Sequence, residues 1–260
     1  MIDQGCDEKI GRVAGMIAKA ENVVVFTGAG VSTESGIPDF RSPGGFWTKF
    51  DPEDFTIDKY LASPETRRKQ WRFLLSGDLF KDARPNAAHE AIADLERLAR
   101  LNCVITQNID NLHQAAGSQV VHEFHGATRE LVCLGCAGRL PAFEMDWSEL
   151  PPLCPRCGGL LKPDFVFFGE AIPERAGTLS FAAAETADVM LVVGTSGEVM
   201  PACSLPRVAK ERGAKIIEVN LGPSAYTARV SDIFLDGPAG EILPSLAGAA
   251  VAALRQEEIR

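Results

Sequence analysis

The chain has 260 residues, of which 46% are hydrophobic, and it carries a formal net charge of −9. This length and apolar content predict one large α/β domain, alone or with a smaller insert, and argue against a disordered chain. The acidic balance disfavours a nucleic-acid scaffold, so no specific nucleic-acid partner is expected. Without an apolar run of roughly 18 residues or a signal-peptide pattern, the sequence predicts a cytoplasmic protein with no membrane partner.

The first predicted elements are a helix over residues 8–20 and a strand over residues 23–26. In the helix, Ile10, Val13 and Ile17 recur at helical spacing, which gives it one apolar face. The strand reads Val-Val-Val-Phe, a run typical of a central strand in a parallel sheet. A buried sheet is therefore expected to begin here.

This strand leads into a turn that contains Gly28, Ala29 and Gly30. Backbone N–H groups of such a turn can approach a pyrophosphate, and Ser32 and Thr33 add hydroxyl donors. A third glycine at the usual spacing and a following acidic ribose ligand are both missing, which disfavours a hydride-transfer enzyme. On the glycines alone, a tight turn that binds no ligand is an equally good interpretation.

The whole run GAGVSTESGIPDFR, over residues 28–41, closely resembles the signature of the sirtuins, the NAD-dependent protein deacylases. The resemblance implies that this segment lies over NAD, with Ser32 and Asp39 among the contacts. It also implies that Phe40 and Arg41 lie near the bond to nicotinamide. Phe40 would shield the reactive ribose from water.

Two helices are predicted next, over residues 64–80 and 84–100. In sirtuins that favour acidic acyl groups, a tyrosine and an arginine stand at the places of Leu74 and Gly77. The resemblance therefore implies a neutral, apolar acyl group. We assign His89 in the second helix to a structural hydrogen bond.

A short apolar strand over residues 103–106 ends in Gln107, Asn108, Ile109 and Asp110. Ligands bind at the carboxyl ends of strands in open α/β sheets, although these polar side chains could instead cap the next helix. The run ITQNIDNLHQAAGS matches a second sirtuin motif. That resemblance implies that the four residues bind ribose and nicotinamide, that Asn108 orients the attacking groups and that Asp110 holds the carboxamide.

Two histidines lie in the run VVHEFHGA. A single histidine is more often a hydrogen-bonded structural residue than a base, and we expect this of His122. Sirtuins place their general base in a His-Gly pair, so the resemblance implies that His125 is the base. Ala127 stands where the family commonly has Asn, Ser or Thr, and a polar contact near the base is therefore expected to be missing.

Two Cys-x-x-Cys pairs are separated by 17 residues: Cys133 with Cys136, and Cys154 with Cys157. Four thiolates complete the closed tetrahedral shell that structural Zn²⁺ prefers, and such a shell leaves no position for a catalytic water. Two disulfides are the alternative, which a cytoplasmic chain disfavours. The sequence therefore predicts a structural zinc ion in an inserted lobe.

The last third of the chain alternates strands and helices, as expected for a parallel sheet. Two of these strands end in residues suited to a dinucleotide, because they share the carboxyl edge. The resemblance implies NAD contacts by the residues that leave these strands and by one near the last helix: Gly194, Thr195, Ser196, Asn220, Leu221 and Ala239.

Two further segments are candidates for binding an acyl-lysine peptide. Sirtuins use a Phe-Gly-Glu stretch as an edge that pairs with an extended peptide, and a turn on the other side completes the pairing. The resemblance implies that these contacts come from Val166, Phe168, Gly169, Glu170, Gly197, Glu198 and Val199. Because backbone pairing makes few demands on side chains, weak selectivity among target proteins is expected.

Together these features predict an α/β fold with a Rossmann-like parallel sheet, a small inserted zinc-ribbon lobe and a helical insert. Residues 1–38, 86–126 and 160–260 would form the NAD-binding domain, and residues 39–85 and 127–159 the small domain. The implied activity transfers an acyl group from lysine to ADP-ribose and releases nicotinamide and O-acyl-ADP-ribose. The alternatives are a mono-ADP-ribosyltransferase that uses the same cleft and a module that senses NAD without catalysis.

Overall fold

The computed structural model describes residues 4–76, 80, 82–98 and 101–258. Its strands are β1 (Val23–Thr27), β2 (Leu101–Thr106), β3 (Val121–Glu123), β4 (Gly126–Cys133), β5 (Arg139–Pro141), β6 (Leu161–Phe165), β7 (Val189–Val193), β8 (Lys215–Asn220) and β9 (Ile233–Asp236). Its helices are α1 (Gln4–Lys19), α2 (Ile57–Ala62), α3 (Pro64–Leu75), α4 (Ala87–Arg97), α5 (Leu112–Ala116), α6 (Glu174–Thr186), α7 (Leu205–Glu211) and α8 (Ala239–Glu258).

Six parallel strands form the larger sheet, in the order β3-β2-β1-β7-β8-β9. Val25 of β1 pairs with Val104 on one side and with Leu191 on the other. The strand order therefore reverses between β1 and β7, and the carboxyl ends of these two strands mark the candidate crevice. In doubly wound sheets a dinucleotide binds at this point.

Helices cover both faces of this sheet, which explains why every residue of β1 is buried. One apolar layer joins the sheet to α1, α4 and α8, and the other joins it to α6 and α7. Strands buried on both faces need continuous apolar runs rather than alternating ones. The predicted Rossmann-like sheet is confirmed.

A second, antiparallel sheet has the order β5-β4-β6. Leu161 of β6 pairs with Cys133 of β4, so β6 belongs to this small sheet, although the predicted boundary assigned residues 160–260 to the large domain. Trp71 of α3 packs into the same core as Leu131 and Leu161. The helical insert and the cysteine-containing lobe therefore share a core.

Two predicted helices are shorter in the structure. The helix predicted over residues 84–100 begins at Ala87, because the Asn86 side chain accepts the Ala88 N–H at 2.9 Å and caps it. The helix predicted over residues 64–80 ends at Leu75. Gly77 lies outside the described residues. Among the described residues, no helix is long and apolar enough to cross a membrane.

Candidate active site

The loops after β1 and β7 contact each other through glycines. Gly28 N–H donates to the Val193 carbonyl at 3.0 Å, and Gly30 N–H donates to the Gly194 carbonyl at 2.8 Å. A Cβ on Gly28 would lie 2.7 Å from the Thr195 Cβ. Close approach of the two loops thus requires these glycines, and their N–H groups donate to the backbone. A contact of Gly28, Ala29 or Gly30 with a cofactor stays a prediction.

Ser32 connects two polar residues that follow β2. Its hydroxyl donates to Asp110 Oδ2 at 2.7 Å and accepts from Asn108 Nδ2 at 3.1 Å. His89 Nε2 lies 3.4 Å from the same oxygen. Because the one proton of Ser32 goes to Asp110, His89 Nε2 donates, and its Nδ1 accepts the Asn86 N–H at 3.3 Å. His89 therefore has the geometry of the structural role predicted for it.

A second buried histidine, His113, lies beneath this network, and sequence reasoning gave it no role. Its ring is 4.8 Å from that of His89, and Thr27 Oγ1 lies 3.0 Å from its Nε2. Burial lowers the pKa of His89 to about 4 and that of His113 to about 3. Both rings are therefore neutral near pH 7 and act as hydrogen-bonding groups under the site.

Thr195 joins the strand ends on both sides of the crevice. Gln107 Nε2 donates to its hydroxyl at 3.0 Å, and Asn220 Nδ2 donates to its carbonyl at 3.1 Å. Leu221, the next residue after β8, is 70% exposed, whereas Ala239 is buried at the start of α8. The predicted cofactor residues therefore cluster at the carboxyl edge of β2, β7 and β8.

The His125 ring is half-buried at the same edge. Its Nδ1 lies 3.1 Å from the Gln107 carbonyl, and because a carbonyl only accepts, Nδ1 carries the proton. The Nε2 lone pair is then left for an incoming proton. Burial lowers the pKa of His125, while the Gln107 carbonyl partly opposes that shift. The His125 imidazole is therefore neutral near pH 7.

The glycine after His125 is required by the backbone. Gly126 has φ +73°, and a Cβ there would clash with the Asp164 carbonyl oxygen and lie 3.0 Å from the Phe165 Cα. The following Ala127 is buried, and Thr128 Oγ1 donates to the Ile109 carbonyl at 3.1 Å. Ala127 has no hydroxyl group, but the next residue, Thr128, supplies one that contacts a predicted nicotinamide residue.

Asp39, Phe40 and Arg41 lie in the connection between β1 and α2. Asp39 Oδ1 accepts the N–H groups of Arg41 at 3.1 Å and of Ser42 at 2.8 Å, which fixes the loop. The Phe40 ring is 41% exposed and lies 5.3 Å from that of Trp47. Arg41 Nε lies 2.8 Å from Glu198 Oε2, so this predicted cofactor loop contacts the predicted peptide turn.

The four paired cysteines lie together in the small lobe, with all ligand atoms within 4.8 Å of one another. Sγ of Cys133 is 3.5 Å from that of Cys157, and Sγ of Cys136 is 3.9 Å from that of Cys154. Sulfurs around tetrahedral zinc are about 3.8 Å apart, given Zn–S bonds of about 2.3 Å. The N–H groups of Cys136 and Gly135 lower the Cys133 pKa to about 6. The cluster fits the predicted zinc.

Comparison with known proteins agrees with this geometry. A model of the Sir2 family matches residues 28–201. The chain belongs to the Sir2 family. NAD-dependent protein deacylase 2 of Pyrobaculum aerophilum is 45% identical over 234 residues, which are 90% of this chain and 93% of the relative.

Solved Sir2 structures have the same fold. One, from work on the mechanism and regulation of Sir2 enzymes, has a TM-score of 0.86 at 40% identity and covers 98% of this chain and 100% of that chain. Another, a Sir2 complex with a p53 peptide and NAD⁺, has a TM-score of 0.81 at 33% identity and covers 96% of this chain and 98% of that chain. The sirtuin fold therefore extends over nearly the whole chain.

In the segment predicted to pair with a substrate peptide, some backbone groups already form hydrogen bonds within the protein. Phe168 N–H donates to the Phe55 carbonyl at 3.0 Å, and the Phe168 carbonyl accepts the Ile57 N–H at 3.0 Å. Val166 N–H donates to the His125 carbonyl at 2.9 Å. The Phe168 backbone therefore cannot pair with a substrate peptide. Phe168 itself is 44% exposed, so its side chain remains accessible.

The second predicted peptide segment, the turn at residues 197–199, rests on Tyr226. A Cβ on Gly197, which has φ +73°, would lie 2.6 Å from the Tyr226 ring. Tyr226 is fully buried and its hydroxyl donates to the Cys203 carbonyl at 3.2 Å. Sequence reasoning missed this support, because only the fold brings residue 226 under the turn.

Proposed function

We propose that this sirtuin removes acyl groups from protein lysines in an NAD-dependent reaction and that His125 is its general base. The acyl group is transferred to ADP-ribose, and nicotinamide and O-acyl-ADP-ribose are released. The observation that carries the proposal is the geometry of His125, whose Nδ1–H is held by a backbone carbonyl while Nε2 keeps its lone pair. Relatives named as NAD-dependent protein deacylases support the activity.

The residues of the crevice fit NAD. They lie at the carboxyl ends of the parallel strands, beside the reversal of strand order between β1 and β7, the point at which a doubly wound sheet binds a dinucleotide. Ser196, Asn220 and Leu221 would bind the adenosine half, and Gln107 would bind the nicotinamide ribose. When bound, NAD supplies a ribose carbon from which nicotinamide leaves readily.

Four residues would act near that carbon. His125 Nε2 would take a proton from a ribose hydroxyl. Asp110 accepts from Ser32 Oγ at 2.7 Å and from Leu112 N at 3.0 Å, which orients its carboxylate to hold the carboxamide. Asn108 uses its Nδ2 on Ser32, which leaves its Oδ1 to orient the attacking groups. Phe40 would exclude water.

The zinc site is structural in this proposal. Four cysteine thiolates form a closed shell, so Cys133, Cys136, Cys154 and Cys157 would hold Zn²⁺ without a position for substrate or water. The ion would supply folding energy to the small lobe. We also propose the two-part division of the chain, with β6 counted in the small domain.

The substrate is proposed to be an extended acyl-lysine peptide, and a Sir2 structure with a p53 peptide supports peptide binding. The carbonyl of Val166 and the peptide groups of Gly169 would pair on one side, and the turn over residues 197–199 on the other. The half-buried Leu74 offers no charge, so the acyl group would be neutral.

Mass spectrometry tests this function. An acetyl-lysine peptide is incubated with the pure protein, with and without NAD, and longer acyl chains follow if acetyl is retained. Loss of the acyl mass only with NAD, together with O-acyl-ADP-ribose and nicotinamide, is the expected result. Intact peptides with transfer of labelled ADP-ribose to protein would instead establish the mono-ADP-ribosyltransferase, and NAD binding without nicotinamide release would establish the sensing module.

A further inference from the structure

A buried lysine lies at the junction of the zinc lobe and the predicted peptide edge. The Lys162 side chain, on β6, is only 5% exposed. Its Nζ donates to the carbonyls of Pro163 at 2.9 Å and Phe165 at 2.6 Å, and it lies 3.0 Å from Glu170 Oε2. These three acceptors use all three N–H groups of the ammonium.

Glu170 bonds to the other end of the segment over residues 165–170. Its Oε2 also accepts the Phe167 N–H at 2.7 Å, and its own N–H donates to the Phe167 carbonyl at 3.0 Å. Between these residues the chain turns at Gly169, which has φ +87°. Lys162 Nζ also lies 4.6 Å from the centre of the Phe167 ring. Residues 165–170 are therefore folded around one ion pair.

Such a pair is better explained by the shape that it imposes than by stability. A well-packed apolar pair often replaces a buried ion pair without loss of stability. Here, however, the amine and the carboxylate bond to backbone groups of the segment that carries Val166 and Gly169. Neither side chain contacts His125 or Asn108 in the described structure, so the pair is separate from the reacting groups.

We propose that Lys162 and Glu170 are positioning residues for the acyl-lysine peptide. Their ion pair holds residues 165–170 in the one shape that presents the Val166 carbonyl and the Gly169 peptide groups to the substrate. Glu170, which sequence analysis assigned to substrate contact, acts through this loop instead. The inference rests on the proposed deacylase function.

The test compares Lys162→Met and Glu170→Gln with Lys215→Met, which makes the same change at an exposed lysine on β8. For each variant we would measure kcat, the KM values for peptide and NAD, and binding of a fluorescent acetyl-lysine peptide. Zinc content and thermal melting would verify the fold. The first two variants should weaken peptide binding roughly tenfold, as expected for one lost charged hydrogen bond, with the NAD KM within about twofold.

A double variant sharpens the test. If the two residues act as one pair, Lys162→Met with Glu170→Gln should weaken peptide binding little more than either change alone. Should Lys162→Met lose zinc or unfold, Glu170→Gln still tests the pair, since it keeps the side-chain volume. Wild-type peptide affinity in both single variants, or an equal loss of peptide and NAD affinity, would overturn the inference. A wild-type protein without NAD-dependent deacylation would refute the proposed function instead.

Discussion

The six-stranded sheet and the zinc lobe are stabilised in different ways. The large sheet lies between two apolar layers, and strands such as β7 are buried along their whole length. The buried core of the small lobe is Trp71, Leu131, Leu161 and two predicted zinc ligands, Cys133 and Cys154. A small unit cannot bury enough apolar surface to fold alone, so metal coordination substitutes for burial.

The candidate base lies where these two regions meet. His125 follows the end of β3 in the large sheet and directly precedes β4 of the small one. Its own carbonyl accepts the Val166 N–H at 2.9 Å, just after β6. The position of the base therefore depends on both regions, although its ring is held by Gln107 from the large one.

The largest expected effect comes from removing a zinc ligand. Cys154→Ala should release zinc and unfold the small lobe, because structural zinc contributes about 10–16 kcal/mol of apparent folding energy. The large sheet should remain, since its core contains no ligand. The three tryptophans, Trp47, Trp71 and Trp147, all lie outside the large sheet. Their fluorescence should change strongly, while most far-UV circular dichroism persists.

Cys6→Ala, on α1, is the matched control and should retain zinc and native fluorescence. Full zinc content with unchanged melting in Cys154→Ala would show that the lobe does not depend on the four thiolates. A single loss of fluorescence and circular dichroism together would show instead that the two regions unfold as one unit.

The next largest effect is expected at His125, where the two regions meet. His125→Ala should lower turnover by roughly 10² to 10⁴-fold, the contribution of a positioned base, while both regions stay folded. Binding of NAD and of acyl-lysine peptide should persist, because the ring bonds to the backbone carbonyl of Gln107 and not to the Gln107 side chain, which donates to Thr195. Single-turnover kinetics with binding measurements would check this. The control variant is His122→Gln, because His122 is a half-buried histidine outside the site. Near-normal turnover in His125→Ala would refute the role of His125 as the base.

The large region could be predicted from the sequence because its signals are local. The unbroken apolar run of β1 indicates a strand buried on both faces, and Asn86 is a residue type that begins helices. Ser32, Asn108 and Asp110 meet as expected, since residues that follow parallel strands share one edge of the sheet. The zinc ligands were also local, as two pairs at fixed spacing.

What sequence could not predict depends on contacts between distant segments. Phe168 bonds through its backbone to Ile57, and no pattern near either residue indicates this. Nothing in the sequence separates the buried Lys162 from an exposed lysine such as Lys215, because only the folded loop supplies its acceptors. Gly126 was expected from a motif, but the structural reason for a glycine is the close approach of the Asp164 carbonyl and of the Phe165 backbone.

The smallest expected effect is a loss of stability of the large region at acidic pH. Burial lowers the pKa values of His89 and His113 to about 4 and about 3, from 6.5 for an exposed histidine, so both rings are neutral in the folded state near pH 7. Below pH 6.5 these two histidines bind protons in the unfolded chain but stay neutral in the folded chain. Stability is therefore full above that pH and falls as pH drops toward 4, by roughly 1.4 kcal/mol per pH unit for each histidine.

Urea unfolding followed by far-UV circular dichroism between pH 7 and pH 5 measures this slope in the large region. His113→Gln removes one of the two titrating groups. Whatever its starting stability, its slope should be shallower than that of the wild type by roughly 1.4 kcal/mol per pH unit. Tryptophan fluorescence should follow a separate acid transition if the thiolates lose zinc. Equal slopes in the two proteins would mean that His113 does not couple folding of the large sheet to pH.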